Sequence, residues 1–240
     1  MPGADMYHHN TVGVIIPALN EEEAIPTVIR AIDRSVIDWI IVVDNGSTDG
    51  TAKSAKMAGA TVLCEPRRGY GSACLRALND GPGADIYVFL DGDGSDDPRE
   101  LDRILNPLRD DSVDLVIGSR TRGNAEPGAL TPAQRFGNAL TCSLVRLFWG
   151  IRYTDLGPFR AVRARCLDVL DMIDPDFGWT IEMQVKAARF GFRVVEIPVR
   201  YRIRRAGKSK VSGTITGSIR AGWRILTYVL RTKLSEVLGR

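Results

Sequence analysis

The chain has 240 residues and a mass of 26.3 kDa, with 44% hydrophobic and 25% charged residues and a mean hydropathy of −0.07. That suits one well-cored domain and excludes a disordered tail, a collagen-like fibre and an integral membrane bundle, since no run approaches the roughly 18 uninterrupted apolar residues of a spanning helix. The net charge of +3 is too small to imply a nucleic-acid partner by itself, but its distribution is uneven: Glu21–Glu23 and Asp91–Asp97 crowd the first half, while Arg200, Arg202, Arg204, Arg205, Lys208 and Lys210 crowd a short late segment. An acidic pocket and a basic lip on one domain predict a metal site beside an anion site. The first residues have no basic start and no apolar core, so no signal peptide is expected. Four scattered cysteines (Cys64, Cys74, Cys142, Cys166) read as reduced thiols of a cytoplasmic protein.

Along the chain, Val12–Ile16 is a buried-strand run cut by Pro17, and 21–33 carries a helical pattern with Ile25, Val28, Ile29 and Ile32 on one face. Trp39–Val43 is a second strand, followed by the turn Asp44–Gly50, which can cap the next helix. Strands at 61–63, 86–90 and 114–117 continue the series, with helices at about 70–79 and 99–109 between them. Non-alternating β-branched runs separated by amphipathic helices predict an α/β fold with a mostly parallel central sheet covered on both faces. The second half is less regular: a Gly/Pro loop at 123–132, helices at 133–148 and 179–190, and a short strand at 194–197.

In such sheets ligands bind beyond the carboxyl ends of the strands. The loop after the first strand, Pro17-Ala18-Leu19-Asn20-Glu21, has no glycine and brings a carboxylate, unlike a dinucleotide-binding turn; taken alone, Asn20 reads as a helix cap. Asp44 can accept from a base or ribose, or equally close its own turn. After the fourth strand, Asp91-Gly92-Asp93 is the strongest signal. Strand alternation would point both carboxylates to one side, with Gly92 leaving room for a ligand against the backbone. Two carboxylates without His or Cys suit Mg²⁺ or Mn²⁺ completed by water and phosphate oxygens. An EF-hand loop is disfavoured, because its sixth position, a required glycine, would be Asp96; a structural acidic turn is the remaining alternative. Arg120, after the fifth strand, reads as a surface arginine or as a charge-neutralising group beside the same crevice.

Together, Val14–Glu21, Val42–Thr51 and Asp91-Gly92-Asp93 resemble the family 2 glycosyltransferases of the GT-A fold, over about residues 12 to 210. Gly118-Ser119-Arg120, Asp155–Arg160 and Arg200-Tyr201-Arg202 leading to Gly207–Lys210 are most similar to the polyprenyl-phosphate branch, typified by dolichol-phosphate mannosyltransferases. The resemblance implies that Pro17, Asn20, Glu21 and Asp44 hold the nucleoside of a UDP- or GDP-sugar. Asp91, Gly92 and Asp93 would hold the metal–diphosphate, and Arg120, Arg200, Arg202, Ser209 and Lys210 the phosphate of a polyprenyl acceptor. Departures are Leu19 for an aromatic residue, Asn45 for a second Asp, Ser95 for a metal-contacting Gln, and Pro158 in a shortened segment.

The reaction implied is inverting displacement at the anomeric carbon by a lipid phosphate, whose second pKa near ~6 makes a strong general base unnecessary. Asp93 is the catalytic candidate through its metal, and Asp155 is a base-or-orienter candidate. Glu182 reads either as a group lining the sugar or acceptor side or as a solvated helix residue. The expected organisation is a single catalytic domain over 1–212 (donor half about 12–120, acceptor half about 121–212) and an amphipathic helix over 213–240. On that helix Ile219, Trp223, Leu226, Val229, Leu230 and Leu234 share a face opposite Arg220, Arg224 and Arg231. The apolar face would meet a membrane, peripherally on the cytoplasmic side, or pack on the domain or a second subunit of a homo-oligomer. The basic run at 200–210 is otherwise a solvated face; nucleic acid fits poorly, because only Tyr201 interleaves the charges. Alternatives for the function are a family 2 transferase with a soluble or glycan acceptor, and a nucleotide-sugar-binding module without activity.

Overall fold

A computed structural model describes residues 10–204 and 215–239. In chain order the elements are β1 (Val12–Ala18), α1 (Ile25–Ala31), β2 (Trp39–Asp44), α2 (Thr51–Met57), β3 (Thr61–Cys64), α3 (Tyr70–Asp80), β4 (Ile86–Phe89) and α4 (Leu101–Leu105). There follow β5 (Leu115–Ser119), α5 (Pro132–Trp149), β6 (Arg160–Arg163), α6 (Ala164–Leu170), α7 (Trp179–Arg189), β7 (Val194–Pro198) and α8 (Ile215–Val237). The seven strands form one sheet in the order β3-β2-β1-β4-β6-β5-β7. Every neighbouring pair is parallel except those of β6, which runs antiparallel to β4 and β5.

The inner strands β1, β2, β4 and β5 are buried on both faces, as their unbroken apolar runs require, while the edge strands β3 and β7 are only part-buried. Ile15, Ile41, Phe89, Leu115 and Val162 point to one side, under α3, α5, α6, α7 and Val229 of α8. Val14, Ile16, Val42, Val88 and Val116 point to the other, under α1, α2 and α4. Each fully buried side chain of this kind contributes about 1.5–3 kcal/mol.

Several expectations are corrected. Pro17 does not end β1, which continues to Ala18 in register with β2. Ile15 and Pro17 face the same edge, and the β4 ladder ends at Leu90 N–H donating to Ile15, so the N–H that proline lacks has no strand to reach. The first helix is shorter than 21–33, because Pro26 suits only a first turn. The helix expected over 99–109 is only Leu101–Leu105 between two 3₁₀ turns, Pro98–Glu100 and Asn106–Arg109, the second opened by Pro107. β6 and α6 were not anticipated. β6 reads Arg-Ala-Val-Arg, yet all four residues are buried; Arg160 donates to Gly157 O and Thr180 O, and Arg163 to Val113 O. Carbonyl acceptors let charged residues occupy a central strand.

Candidate active site

From β1 the chain winds outward to β2 and β3, then returns to the other side of β1 as β4. The loops after β1 and β4 therefore part, leaving a crevice at their carboxyl ends. Asn20 adopts φ 53°, a left-handed conformation that asparagine tolerates. Its main-chain N–H donates to Ser47 Oγ at 2.9 Å and its Oδ1 accepts from Thr48 N–H at 2.8 Å, tying the loop after β1 to the loop after β2. The Glu21 N–H donates to Thr51 Oγ1 at 2.8 Å. Asp44 Oδ1 closes its own turn by accepting from Ser47 N–H at 3.0 Å. Asn45, at the departure from a second Asp, joins Glu65 O, Arg67 O and the Gly69 N–H. It therefore fastens the loop before α3.

Asp91 and Asp93 lie beyond the end of β4, so a turn, not strand alternation, brings them together. Gly92 does not open space for a ligand: a Cβ there would meet Ile25, Ile16 and Pro17 O at 3.1 to 3.4 Å. Its missing side chain lets the acidic turn press onto β1 and α1. Asp93 Oδ1 accepts from Ser95 N–H at 2.8 Å. Asp91 Oδ1 is shut off from solvent and has no hydrogen-bond partner among the described residues. Burial, then the Asp93 charge, raise the Asp91 pKa to about 7. Asp96 is 1% exposed, and neither carboxylate oxygen has a hydrogen-bond partner among the described residues; burial, then Asp91 and Asp93, push its carboxyl far above the usual range.

An orphaned buried oxygen and two mutually repelling carboxylates fit a hard divalent cation. Among the described residues no three His, Cys, Asp or Glu side chains are grouped to hold an ion. The shell around Asp91 and Asp93 would therefore be completed by phosphate oxygens and water, as Mg²⁺ commonly is.

Arg120 sits beside this turn. Its main-chain N–H and Nε donate to Asp155 Oδ2 at 2.6 and 2.9 Å, and its Nη2 to Oδ1 at 2.7 Å. Although burial opposes its charge, Asp155 holds the guanidinium pKa above its ordinary value. Its other face lies 5.1 Å from the Tyr201 ring centroid. Asp155 is 0% exposed and both its oxygens are committed to Arg120. Glu196 accepts from the Thr154 and Asp155 N–H groups at 2.8 and 3.2 Å, fixing that carboxylate in turn.

Of the late basic residues that are described, Arg200 and Arg202 do not gather on Arg120. Tyr201 bridges to Asp96 and turns inward beneath Arg120. Arg202, on the opposite side of this extended segment, pairs with Asp97 at 2.7 Å. Arg200 is exposed and is anchored through its N–H to Glu100 at 2.6 Å. Ser209 and Lys210 lie outside the described residues. Glu182 is neither solvated nor lining a site: it is 0% exposed, accepts from the N–H groups of Ile173 and Asp174, and pairs with Lys186. The C-terminal helix is docked on α5 and α7. Val229 is buried, and Arg224 pairs with Asp174 and Asp176 at 3.3 and 3.4 Å. Trp223, Leu230 and Leu234 stay exposed.

Charge counting did not single out Arg204. Its Nη1 lies 2.8 Å from Glu21 Oε1 and its Nη2 2.8 Å from Asp93 Oδ2. The Asp96–Tyr201 bridge, which folds this segment over the acidic turn, leaves no local pattern in sequence.

A switch-point crevice that carries paired carboxylates in place of a Gly-rich turn, in a mostly parallel sheet, is the architecture of the GT-A glycosyltransferases. The model of glycosyl transferase family 2 matches residues 13–181, and the chain belongs to that family: it is a glycosyltransferase. An uncharacterized glycosyltransferase of Mycobacterium tuberculosis is 38% identical over 222 residues, 91% of this chain and 99% of that protein. The undecaprenyl-phosphate mannosyltransferase of Micrococcus luteus is 32% identical, over 85% of this chain and 88% of its own. The polyprenol monophosphomannose synthase of Mycolicibacterium smegmatis is also 32% identical, over 94% and 89%. Among solved structures, glucosyl-3-phosphoglycerate synthase from Mycobacterium tuberculosis, in complex with Mn²⁺, UDP-glucose and phosphoglyceric acid, has a TM-score of 0.78 at 24% identity, covering 96% of this chain and 82% of that one. That likeness speaks for the fold.

Proposed function

We propose that this glycosyltransferase moves a hexose or N-acetylhexosamine, with inversion, from a UDP- or GDP-linked donor to a polyprenyl phosphate. The observation that carries the acceptor is a cavity of about 490 Å³ between α5 and α8. Phe136, Leu140, Trp223 and Leu226 give it apolar walls, and Arg120 and Tyr70 lie at its polar wall. An apolar channel with one buried-end cation suits an amphiphile with an anionic head. The two lipid-phosphate relatives support the same reading.

In this mechanism Pro17, Asn20, Glu21 and Asp44 hold the nucleoside in the donor half, and Asp91 and Asp93 face the diphosphate. Asp91 and Asp93 would hold Mg²⁺ or Mn²⁺, which when bound would supply positive charge to offset that of the leaving nucleoside diphosphate. Arg120, kept charged and aimed by Asp155, receives the acceptor phosphate; Arg202, Arg200, Ser209 and Lys210 are assigned the same anion, with Arg202 leaving Asp97 to reach it. The acceptor is already largely dianionic near neutral pH, so these cations position it and no residue need deprotonate it.

The test is transfer of radiolabelled sugar from a donor panel into an organic-extractable lipid. Leu226→Asp, at the cavity wall, is expected to lower lipid labelling at least about tenfold, since a buried charge opposes an apolar tail. Labelling of a water-soluble phosphorylated acceptor instead, with lipid left unlabelled, would favour a soluble substrate. No labelled product with any acceptor would leave a binding module.

Access to a lipid substrate is assigned to the outer apolar rim, where Trp223 is 73% exposed and Leu230 and Leu234 are 52% and 58% exposed. Among the described residues no helix is long and apolar enough to cross a membrane, and contact is proposed to be peripheral, at the cytoplasmic face. The protein should sediment with anionic liposomes at low salt, and Trp223→Asp should release it; an equal supernatant fraction for both proteins would overturn the membrane contact.

A further inference from the structure

Arg204 lies on an extended segment that crosses over the acidic turn. Asp96 and Tyr201 form an antiparallel bridge, the Arg202 N–H donates to Ser95 O at 2.8 Å, and the Arg202 guanidinium is on Asp97. Two residues further on, the Arg204 guanidinium enters the donor crevice and spans its two lips, meeting Glu21 of the loop after β1 and Asp93 of the turn after β4, each at 2.8 Å. The three side chains are 17%, 6% and 13% exposed, so water screens them little.

Asp91, Asp93 and Asp96 bring three carboxyl groups into this corner, while the nearest other arginine, Arg120, spends both its carboxylate bonds on Asp155. Arg204 therefore supplies the positive charge that faces Asp93. Asp93 Oδ1 already accepts the Ser95 N–H, which leaves Oδ2 as the oxygen best placed for a cation, and that oxygen is the one Arg204 holds. A guanidinium and a divalent ion on one carboxylate oxygen repel strongly at such separations. They cannot share it.

We propose that Arg204 is the resting counter-ion of the donor site, and that it and the divalent cation are alternative occupants of Asp93. The inference rests on the reading of Asp93 as a metal-holding carboxylate. It makes binding of the ion an exchange: the incoming charge must displace a partly buried guanidinium that stays protonated, since Asp93 and Glu21 raise its pKa despite burial. The displaced arginine needs a new anion, and a nucleoside diphosphate entering with the ion supplies one. Ion and nucleotide should then bind cooperatively, with Arg204 as the link.

The experiment is titration of Mn²⁺ into nucleotide-free protein, with free Mn²⁺ read by electron paramagnetic resonance and folding checked by circular dichroism. Arg204→Ala and Arg204→Gln are expected to bind Mn²⁺ about tenfold more tightly than the unaltered protein, and Arg204→Lys to fall between. Adding UDP or GDP should tighten Mn²⁺ binding by a larger factor in the unaltered protein than in Arg204→Gln. Asp93→Asn should remove binding in every background. Equal Mn²⁺ affinity with and without Arg204, while Asp93→Asn still abolishes it, overturns the exchange and leaves the metal reading intact. Mn²⁺ binding that survives Asp93→Asn, or that is absent from every background, overturns the metal reading and the exchange with it.

Discussion

Asp93→Ala is expected to reduce sugar transfer by at least about 10³-fold, with the fold retained. In the proposed mechanism charge develops on the leaving diphosphate, and Asp93 is one of the two carboxylates of the Asp91–Asp93 turn that would place a divalent ion against it. Losing about 4 kcal/mol of such stabilisation gives a drop of that order. The structural cost is smaller. Asp93 gives up one bond to the Ser95 N–H and its share of Arg204, while Arg204 keeps Glu21 at 2.8 Å. A neutral residue here also relieves Asp91, whose pKa Asp93 helps to raise. Single-turnover rates with radiolabelled donor, beside denaturant melts, separate the two effects. Excess EDTA should reproduce the loss in the unaltered protein. Turnover within about tenfold of normal in Asp93→Ala would remove the ion from the mechanism.

The donor side of this molecule was legible because its signals are local. β-branched runs buried on both faces announced a parallel sheet, and Asp91-Gly92-Asp93 falls just beyond such a run, where chain direction alone places it at the crevice. The second half of the chain was harder to read because its determinants are long-range. β6 hides as Arg-Ala-Val-Arg: its two buried arginines are solvated by carbonyls of residues 113, 157 and 180, which no window of sequence joins. The same limit applies to Gly92, whose neighbours Ile16 and Ile25 come from β1 and α1. It applies also to the basic run: the guanidinium groups of Arg202 and Arg204 end on Asp97 and Asp93, while Arg200 meets Glu100 only through its main-chain N–H and leaves its side chain exposed. Glu182 reads by type as either solvated or lining a site, yet it is consumed by two N–H groups of the turn at 173–174. That turn also presents Pro175 O to Ser72 and so braces the start of α3, beside the crevice.

Asp155→Ala should destabilise the protein by about 3–5 kcal/mol, the cost of stranding a buried charge. Asp155 is 0% exposed and Arg120 is 13% exposed, and among the described residues Asp155 is the carboxylate to which Arg120 is hydrogen-bonded. Since a domain's whole stability is about 5–15 kcal/mol, this variant would lie near the edge of folding, and its inactivity alone would say nothing about chemistry. The informative comparison adds Arg120→Met. Removing both charges leaves an apolar pair of similar volume, and stability should return to within about 1–2 kcal/mol of the starting protein. Transfer should not return, because the cation proposed to receive the acceptor phosphate is gone. The double variant should still bind UDP or GDP with ordinary affinity, because Asn20, Glu21 and Asp44 belong to other loops. Equilibrium melts, nucleotide titration and the lipid-labelling assay on one preparation resolve the three quantities. A stable double variant that transfers sugar with an unchanged acceptor KM would show that Arg120 and Asp155 only hold β5 to the turn before β6, and would send the search for the phosphate site to the other arginines of the basic lip.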